Sequence, residues 1–355
     1  MKKIKVAING FGRIGRAFLK VAWERPEIEI VAVNDLGDIA NMAYLLKYDT
    51  VYKKWEQDIQ VEGDNLVING HAEGRASKKV KVLAEKDPSK LPWKDLGIDV
   101  VVESTGMFVT YASSKVHLDA GAKKVVVTAP MKPSSAEASD GQGMTEGATV
   151  LLGVNEEKFG TCDITSNASC TTNAGSPLIA ILDEALGIEK ALLNTAHTLT
   201  NSQPTVDSMN KHNMREGRAG GDNIVPSSTG AAIAVTKAFP KLAGLFDGIA
   251  LRVPVICGSL VDITFISKKN TTAEEVNSIL KKAAGEKRWQ GIFAVTEEEL
   301  VSSDIIGSPY GAIADLNLTR VVGGNLVKVL AWYDNEMGYC YTLVEHVIKA
   351  GRTIK

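Results

Sequence analysis

The chain has 355 residues, 45% of them hydrophobic and 23% charged, a globular composition in a length that points to two domains rather than one core. Forty Lys and Arg against forty-two Asp and Glu leave a formal net charge of −2, so no overall positive field draws the chain to nucleic acid or to an acidic membrane surface. The four cysteines, Cys162, Cys170, Cys257 and Cys340, form no C-x-x-C pair and no Cys/His ligand spacing, which argues against a disulfide framework and against any metal site.

Met1-Lys2-Lys3 leads directly into an alternating pattern without the apolar stretch of a signal peptide, and no run of about 18 apolar residues occurs. A cytoplasmic location is expected. Ile4 to Asn9 reads as a strand, a helix starts at about Arg13, and Ile28 to Asn34 is the next strand. Ile98 to Val102, Lys124 to Val127 and Val150 to Val154 continue this rhythm, which is that of parallel strands joined by crossover helices and covered on both faces. Pro133 to Gly147, rich in Ser, Gly and Ala, is expected as an exposed loop. After about residue 168 longer strands follow, at Lys190 to Thr200, Ile249 to Val255, Ser259 to Ser267 and Leu326 to Tyr333. The short Ile256-Cys257-Gly258 link predicts that the second and third of these pair antiparallel. Thr272 and Glu275 have capping-box spacing ahead of Val276, Ile279 and Leu280, so a helix begins there. The last helix carries Met337, Cys340, Tyr341, Val344, Val347 and Ile348 on one face and is expected to return to the first domain.

Gly10-Phe11-Gly12-Arg13-Ile14-Gly15 lies between a strand and a helix, the context that gives a G-x-G-x-x-G run physical content. The first glycine permits the tight turn, the second lets backbone approach a pyrophosphate, and the third lets strand and helix pack closely. Asp35 follows twenty residues after Gly15, where a carboxylate accepts from the ribose hydroxyls and repels a 2′-phosphate. With no Arg or Lys beside it, NAD is preferred over NADP. A glycine-rich turn in an unrelated α/β fold is the alternative, disfavoured by the strand, helix and acidic residue together.

Cys170 sits in Ser169-Cys170-Thr171-Thr172-Asn173, followed by Leu178, Ile181, Leu182 and Ala185 at helical spacing. A thiol at a helix N-terminus is expected to have a lowered pKa, since the dipole and free N–H groups favour thiolate; Pro177 removes one bond of that helix. Lone cysteines are commonly small buried hydrophobes, and the polar Ser/Thr/Asn surroundings argue for the reactive reading. Of the five histidines, His71, His117, His197, His212 and His346, the candidate base is His197, in a strand twenty-seven residues beyond the thiol. The spacing does not place it against Cys170, and a hydrogen-bonded interior histidine fits it as well.

Ala168 to Asn173, Gly10 to Gly15, Pro226 to Ala232, Leu251-Arg252-Val253-Pro254 and Trp332 to Glu336, in that setting, resemble the motifs of the phosphorylating glyceraldehyde-3-phosphate dehydrogenase family over nearly the whole chain. The resemblance implies an α/β fold with a Rossmann-type parallel sheet, helices on both faces, in residues 1–168 together with 336–355. It implies a second, α+β catalytic domain with a mostly antiparallel sheet in 169–335. It makes Cys170 the nucleophile and His197 its base. Thr200 and Arg252 then hold the substrate C3 phosphate, Ser169, Thr171, Thr229 and Gly230 the attacking phosphate, and Arg218 lies in the loop lining these sites. For NAD it implies Gly10, Phe11, Gly12, Arg13, Ile14 and Gly15 at the pyrophosphate, Asp35, Lys86, Thr105, Gly106 and Thr128 along the adenosine side, and Asn335 and Tyr339 toward the nicotinamide. The implied substrates are glyceraldehyde 3-phosphate and inorganic phosphate, and the implied assembly is a homotetramer. The nearest alternative is an erythrose-4-phosphate dehydrogenase, in which water cleaves the thioester. The chain departs from the family pattern at Ala174, which replaces a second cysteine, at Met337 for Trp, at Met209 for Pro, and in the length of the Pro133 to Gly147 loop.

Overall fold

A computed structural model describes residues 2–69, 77–132, 147–211 and 213–354. His71, His212 and the Pro133 to Gly147 loop, apart from Gly147 itself, lie outside the described residues. The chain divides into two compact units. The first comprises Met1–Val150, Glu157–Asn167 and Leu343–Lys355, and the second Leu151–Glu156 and Ala168–Thr342.

In the first unit the strands are β1 (Ile4–Asn9), β2 (Ile28–Asn34), β3 (Tyr48–Asp49), β4 (Lys53–Lys54), β5 (Asp58–Glu62), β6 (Asn65–Asn69), β7 (Lys78–Leu83), β8 (Val100–Glu103), β9 (Lys124–Val127), β10 (Gly147–Thr149) and β11 (Ile164–Ser166). Its helices are α1 (Arg13–Trp23), α2 (Ile39–Lys47), α3 (Trp93–Leu96), α4 (Tyr111–Ser114) and α5 (Val116–Asp119). Nine strands form one sheet in the order β10-β11-β9-β8-β1-β2-β7-β6-β5. In this sheet the β5–β6 and β6–β7 pairings are antiparallel and the others parallel. Central strands are apolar and buried on both faces, as at Val100-Val101-Val102, because crossover helices cover the sheet. Helix α1 buries Phe18, Leu19, Val21 and Trp23, each contributing about 1.5–3 kcal/mol relative to an exposed position. The expected strand at Val150 to Val154 is displaced: pairing occupies Gly147–Thr149, and Gly153, at φ +73°, turns the chain there.

In the second unit the chain runs α6 (Cys170–Leu186), β12 (Ile188–His197), β13 (Val225–Ser228), α7 (Ala231–Ala238), β14 (Phe246–Arg252), β15 (Ser259–Ser267) and α8 (Ala273–Ala284). It continues through β16 (Phe293–Thr296), β17 (Ala312–Asp315), β18 (Arg320–Val322) and β19 (Leu326–Tyr333) into α9 (Met337–Arg352). The sheet order is β13-β14-β12-β15-β19-β17-β16, with β18 on β19. Most pairings are antiparallel; β12 with β14 and β16 with β17 are parallel. The hairpin expected across Ile256-Cys257-Gly258 is not formed, because β12 inserts between β14 and β15 and satisfies the ladder groups of both. A short link shows that two strands are neighbours in sequence but leaves open which edge each offers. Thr272 caps α8 by accepting from Glu275 N–H at 3.2 Å, while the Glu275 carboxylate takes the Thr271 hydroxyl at 2.9 Å rather than closing a reciprocal box. Helix α6 is continuous through Pro177 and buried along most of its length. The C-terminal residues of α9 belong to the first unit, where Ile4 packs on Gly351 and the Thr165 hydroxyl meets His346 Nε2 at 2.8 Å.

Candidate active site

The glycine turn of the first unit is built by exclusion. Gly10 has φ +93°, a left-handed conformation, and a side chain there would meet Thr105 N at 2.7 Å. A side chain at Gly15 would meet the Gly10 carbonyl at 2.2 Å, so strand and helix can be this close only with glycine. At Gly12 an added Cβ would meet nothing within 4 Å. Gly12 is also the N-cap of α1 and supplies no capping side chain. Gly12 thus leaves open space at the start of α1, the end of a helix that favours an anion. Asp35 holds the turn from the next strand, accepting from Phe11 N–H at 2.7 Å and Gly37 N–H at 3.0 Å. The Arg13 guanidinium pairs with Asp49 at 2.6 and 3.3 Å. Thr105 and Gly106 follow β8, Thr128 follows β9, and Lys86 is exposed in the loop after β7.

In the second unit, Cys170 is the first residue of α6 and His197 the last of β12. Helix, Gly187 turn and strand run out and back over comparable lengths, on the order of 30 Å each, so two residues far apart in sequence meet at one end. Cys170 Sγ lies 3.4 Å from His197 Nε2. His197 Nδ1 lies 2.9 Å from the Thr198 carbonyl, which matches a proton on Nδ1, and beside the donor-only Arg252 guanidinium, which matches a lone pair there, so these neighbours do not fix the resting tautomer. Arg252 stands opposite His197 on β14, its Nη1 at 2.5 Å from Nδ1. Burial and the Arg252 charge lower the His197 pKa to about 4, against the Thr198 carbonyl, which raises it. Burial likewise raises the Cys170 thiol, against Arg252 and the backbone N–H groups at the start of α6. The lowered thiol pKa expected from the helix terminus is thus outweighed by desolvation, and the resting pair is a thiol beside a neutral imidazole.

The surroundings fix this pair. Ser169 caps α6, its hydroxyl accepting from Thr172 N–H at 3.1 Å, and Ala168 turns into the helix at φ +54°. Thr171 Oγ1 meets Tyr333 Oη at 2.9 Å, and Tyr333 meets Thr195 Oγ1 at 2.9 Å; the Tyr333 ring lies edge-on to His197. Sequence reasoning did not single out Tyr333, Thr195 or Thr198, whose place beside the thiol comes from sheet register. Tyr339 is 3% exposed, and its hydroxyl donates to the Ala168 carbonyl at 3.1 Å, behind the start of α6. Asn335 commits its oxygen to Gly258 N–H and the Ser259 hydroxyl, both at 3.2 Å.

Groups able to bind an anion lie on the same unit. Arg252 Nε and Thr198 Oγ1 are buried without a hydrogen-bond partner, a cost that an anionic ligand would remove. Thr200 is exposed, on Gln203 and Ser202 at 2.9 Å each. Thr229 accepts from Ala231 N–H at 3.1 Å, and Gly230 is the N-cap of α7. Ala234, one turn into α7, packs with Ala168, so the first turn of α7 lies close to the start of α6. Arg218 is exposed and donates to Asp207 at 2.8 Å.

Residues 4–111 match the family described as "Glyceraldehyde 3-phosphate dehydrogenase, NAD binding domain", and residues 169–335 match "Glyceraldehyde 3-phosphate dehydrogenase, C-terminal domain". The chain is 46% identical to a glyceraldehyde-3-phosphate dehydrogenase of Thermotoga maritima over 344 residues, covering 96% of this chain and 97% of the relative. The chain belongs to the glyceraldehyde-3-phosphate dehydrogenase family. Other relatives include "Glyceraldehyde-3-phosphate dehydrogenase 1" of Bacillus subtilis, 44% identical over 96% of both chains, and a Streptomyces coelicolor glyceraldehyde-3-phosphate dehydrogenase, 43% identical over 99% of both. Within the family's NAD-binding domain lie the glycine turn, Asp35, Lys86, Thr105 and Gly106; within its C-terminal domain lie Cys170, His197, Arg252 and Asn335.

Proposed function

We propose that the protein is an NAD-dependent, phosphorylating glyceraldehyde-3-phosphate dehydrogenase of glycolysis and gluconeogenesis, with Cys170 as nucleophile and His197 as general base. The observation that carries the assignment of these two residues is the 3.4 Å approach of Cys170 Sγ to a histidine kept neutral. As the sulfur bonds to the aldehyde carbon, its proton passes to His197 Nε2, and the new imidazolium meets the developing oxyanion. NAD, when bound, supplies the acceptor for the hydride that leaves this carbon. A carbonyl re-forms and an acyl thioester remains on Cys170. An oxygen of inorganic phosphate then bonds to the acyl carbon, the carbon–sulfur bond breaks, and His197 returns its proton to the sulfur.

Arg252 and Thr200 hold the C3 phosphate in this reading, since Arg252 carries both a charge and an unpartnered N–H. Ser169, Thr171, Thr229 and Gly230 hold the attacking phosphate, with Arg218 nearby in sequence to its loop. The Gly10 to Gly15 turn, Asp35, Lys86, Thr105, Gly106 and Thr128 hold the dinucleotide, and Asn335 Nδ2 donates to the carboxamide beside Tyr339. Asp35 favours NAD over NADP.

The names of the relatives favour this activity over erythrose-4-phosphate oxidation with hydrolysis. A cytoplasmic homotetramer without nucleic-acid or membrane partners completes the proposal. Among the described residues no helix is long and apolar enough to cross a membrane. Leu192, Leu245 and Leu326 are exposed at 65%, 47% and 40% around a hollow of about 430 Å³ on the second unit, an apolar surface consistent with self-association. NADH formation from glyceraldehyde 3-phosphate, with and without phosphate and with each cofactor, tests the activity. Turnover independent of phosphate would replace phosphorolysis with hydrolysis, and a lower KM for NADP would overturn the role of Asp35.

A further inference from the structure

Glu103 ends β8 and is 1% exposed, an expensive position for a carboxylate unless every lone pair is used. Four donors use them. Oε1 accepts the Thr105 N–H at 2.8 Å and the Thr105 hydroxyl, and Oε2 accepts Asn9 Nδ2 at 2.6 Å and His117 Nε2 at 3.0 Å. The histidine proton is assigned by the group behind it. Trp93 Nε1 is a donor only and points at His117 Nδ1 at 3.2 Å, so Nδ1 accepts and Nε2 carries the proton toward Glu103. His117 is fully buried, and the proposed reaction makes no use of it.

The bonds continue across the sheet. Asn9 Oδ1 accepts from Asn34 Nδ2 at 2.8 Å, and Asn34 both donates to the Glu85 carbonyl and accepts from Glu85 N–H, at 2.9 Å each. Glu103, Asn9, Asn34 and Glu85 stand at or just beyond the C-terminal ends of β8, β1, β2 and β7, which are consecutive neighbours in the sheet. Each is followed within two residues by a group assigned above to the dinucleotide: Thr105, Gly10, Asp35 and Lys86. Ser104 adds a bond from its hydroxyl to the Gly10 carbonyl at 2.7 Å.

We propose that Glu103, held by His117, is the positioning residue of the dinucleotide site, setting the glycine turn, Asp35 and Thr105 in one register through the row of side-chain amides. The proposal rests on the reading of this turn as the NAD site. In E103Q an amide N–H must face a donor that now has an acceptor, so the row is broken at its anchor. H117Q keeps a donor near the Nε2 position, whereas H117L removes it.

The test is NAD affinity by titration of tryptophan fluorescence, alongside the rate of Cys170 alkylation by iodoacetamide and the circular dichroism spectrum. E103Q and H117L are expected to weaken NAD at least tenfold, with alkylation within twofold of wild type, and H117Q is expected to stay within threefold of wild-type affinity. Folded E103Q or H117L that binds NAD within twofold of wild type overturns the proposal. If E103Q does not fold, equal NAD affinity of H117L and H117Q overturns it instead. Wild-type protein that binds no NAD would overturn the cofactor reading itself.

Discussion

At Gly10 to Gly15 six consecutive residues supply the turn, its close approaches and its backbone donors, with Asp35 added from the next strand. At Cys170 four side chains, Cys170, His197, Arg252 and Tyr333, come from α6, β12, β14 and β19, and no two of them are nearer in sequence than the twenty-seven residues between the thiol and His197. The first site depends on backbone shape, so its residues are constrained by what a Cβ would strike. The second depends on which strands are neighbours, and its residues are constrained by charge and desolvation. Damage to the first should therefore appear as lost affinity or lost fold, and damage to the second as lost chemistry.

The largest effect expected is at the thiol. C170A should lower turnover by more than about a thousandfold while NAD affinity, measured by fluorescence titration, stays within twofold; residual activity near wild type would remove the nucleophile. H197N should cost about 10²- to 10⁴-fold in kcat. It should also change the pH profile of Cys170 alkylation by iodoacetamide, because the proton acceptor at 3.4 Å is gone. A profile unchanged from wild type would count against the base role and would leave His197 as an interior hydrogen-bonded residue.

The glycines separate shape from ligand contact within the first site. G15A places a methyl group 2.2 Å from the Gly10 carbonyl and should destabilise the fold by about 1–3 kcal/mol, read as a lower midpoint in urea. The Cβ that G12V adds meets no protein atom within 4 Å, so its midpoint should stay close to wild type while NAD affinity falls. Equal effects of the two on stability would contradict the assignment of different roles to them.

A further effect is expected on acid stability. Burial lowers the pKa of His346 to about 3 and that of His197 to about 4, from an ordinary 6.5. Between these values the unfolded chain binds protons that the folded chain does not, so stability is complete above about pH 6.5 and falls as pH is lowered toward 4 and 3. The melting temperature should decline over this range, and a flat profile would indicate that neither imidazole is held neutral.

Much of the first site is legible in the sequence because its determinants are local. β1, β2, β9, β15 and β19 lie where alternation and apolar runs predict them, and the glycine spacing fixes the turn. The pairing of β14 with β12 rather than β15 was not legible, since Ile256-Cys257-Gly258 can link strands of either arrangement. Glu103 and His117 carried no signal either: one ends an apolar strand, the other sits in a four-residue helix, and their contact spans 14 residues of intervening turn and helix.

Sequence alone determined that a glycine turn would follow β1 and that a thiol would stand at the start of a helix, since both follow from φ preferences, Cβ sterics and capping within a few residues. Tertiary structure decided that the imidazole at the end of β12 reaches that thiol and that Arg252 stands beside it. It also decided that burial outweighs the helix terminus in setting the protonation of the pair. These depend on strand order and on the solvent excluded by distant segments, quantities that no local pattern encodes.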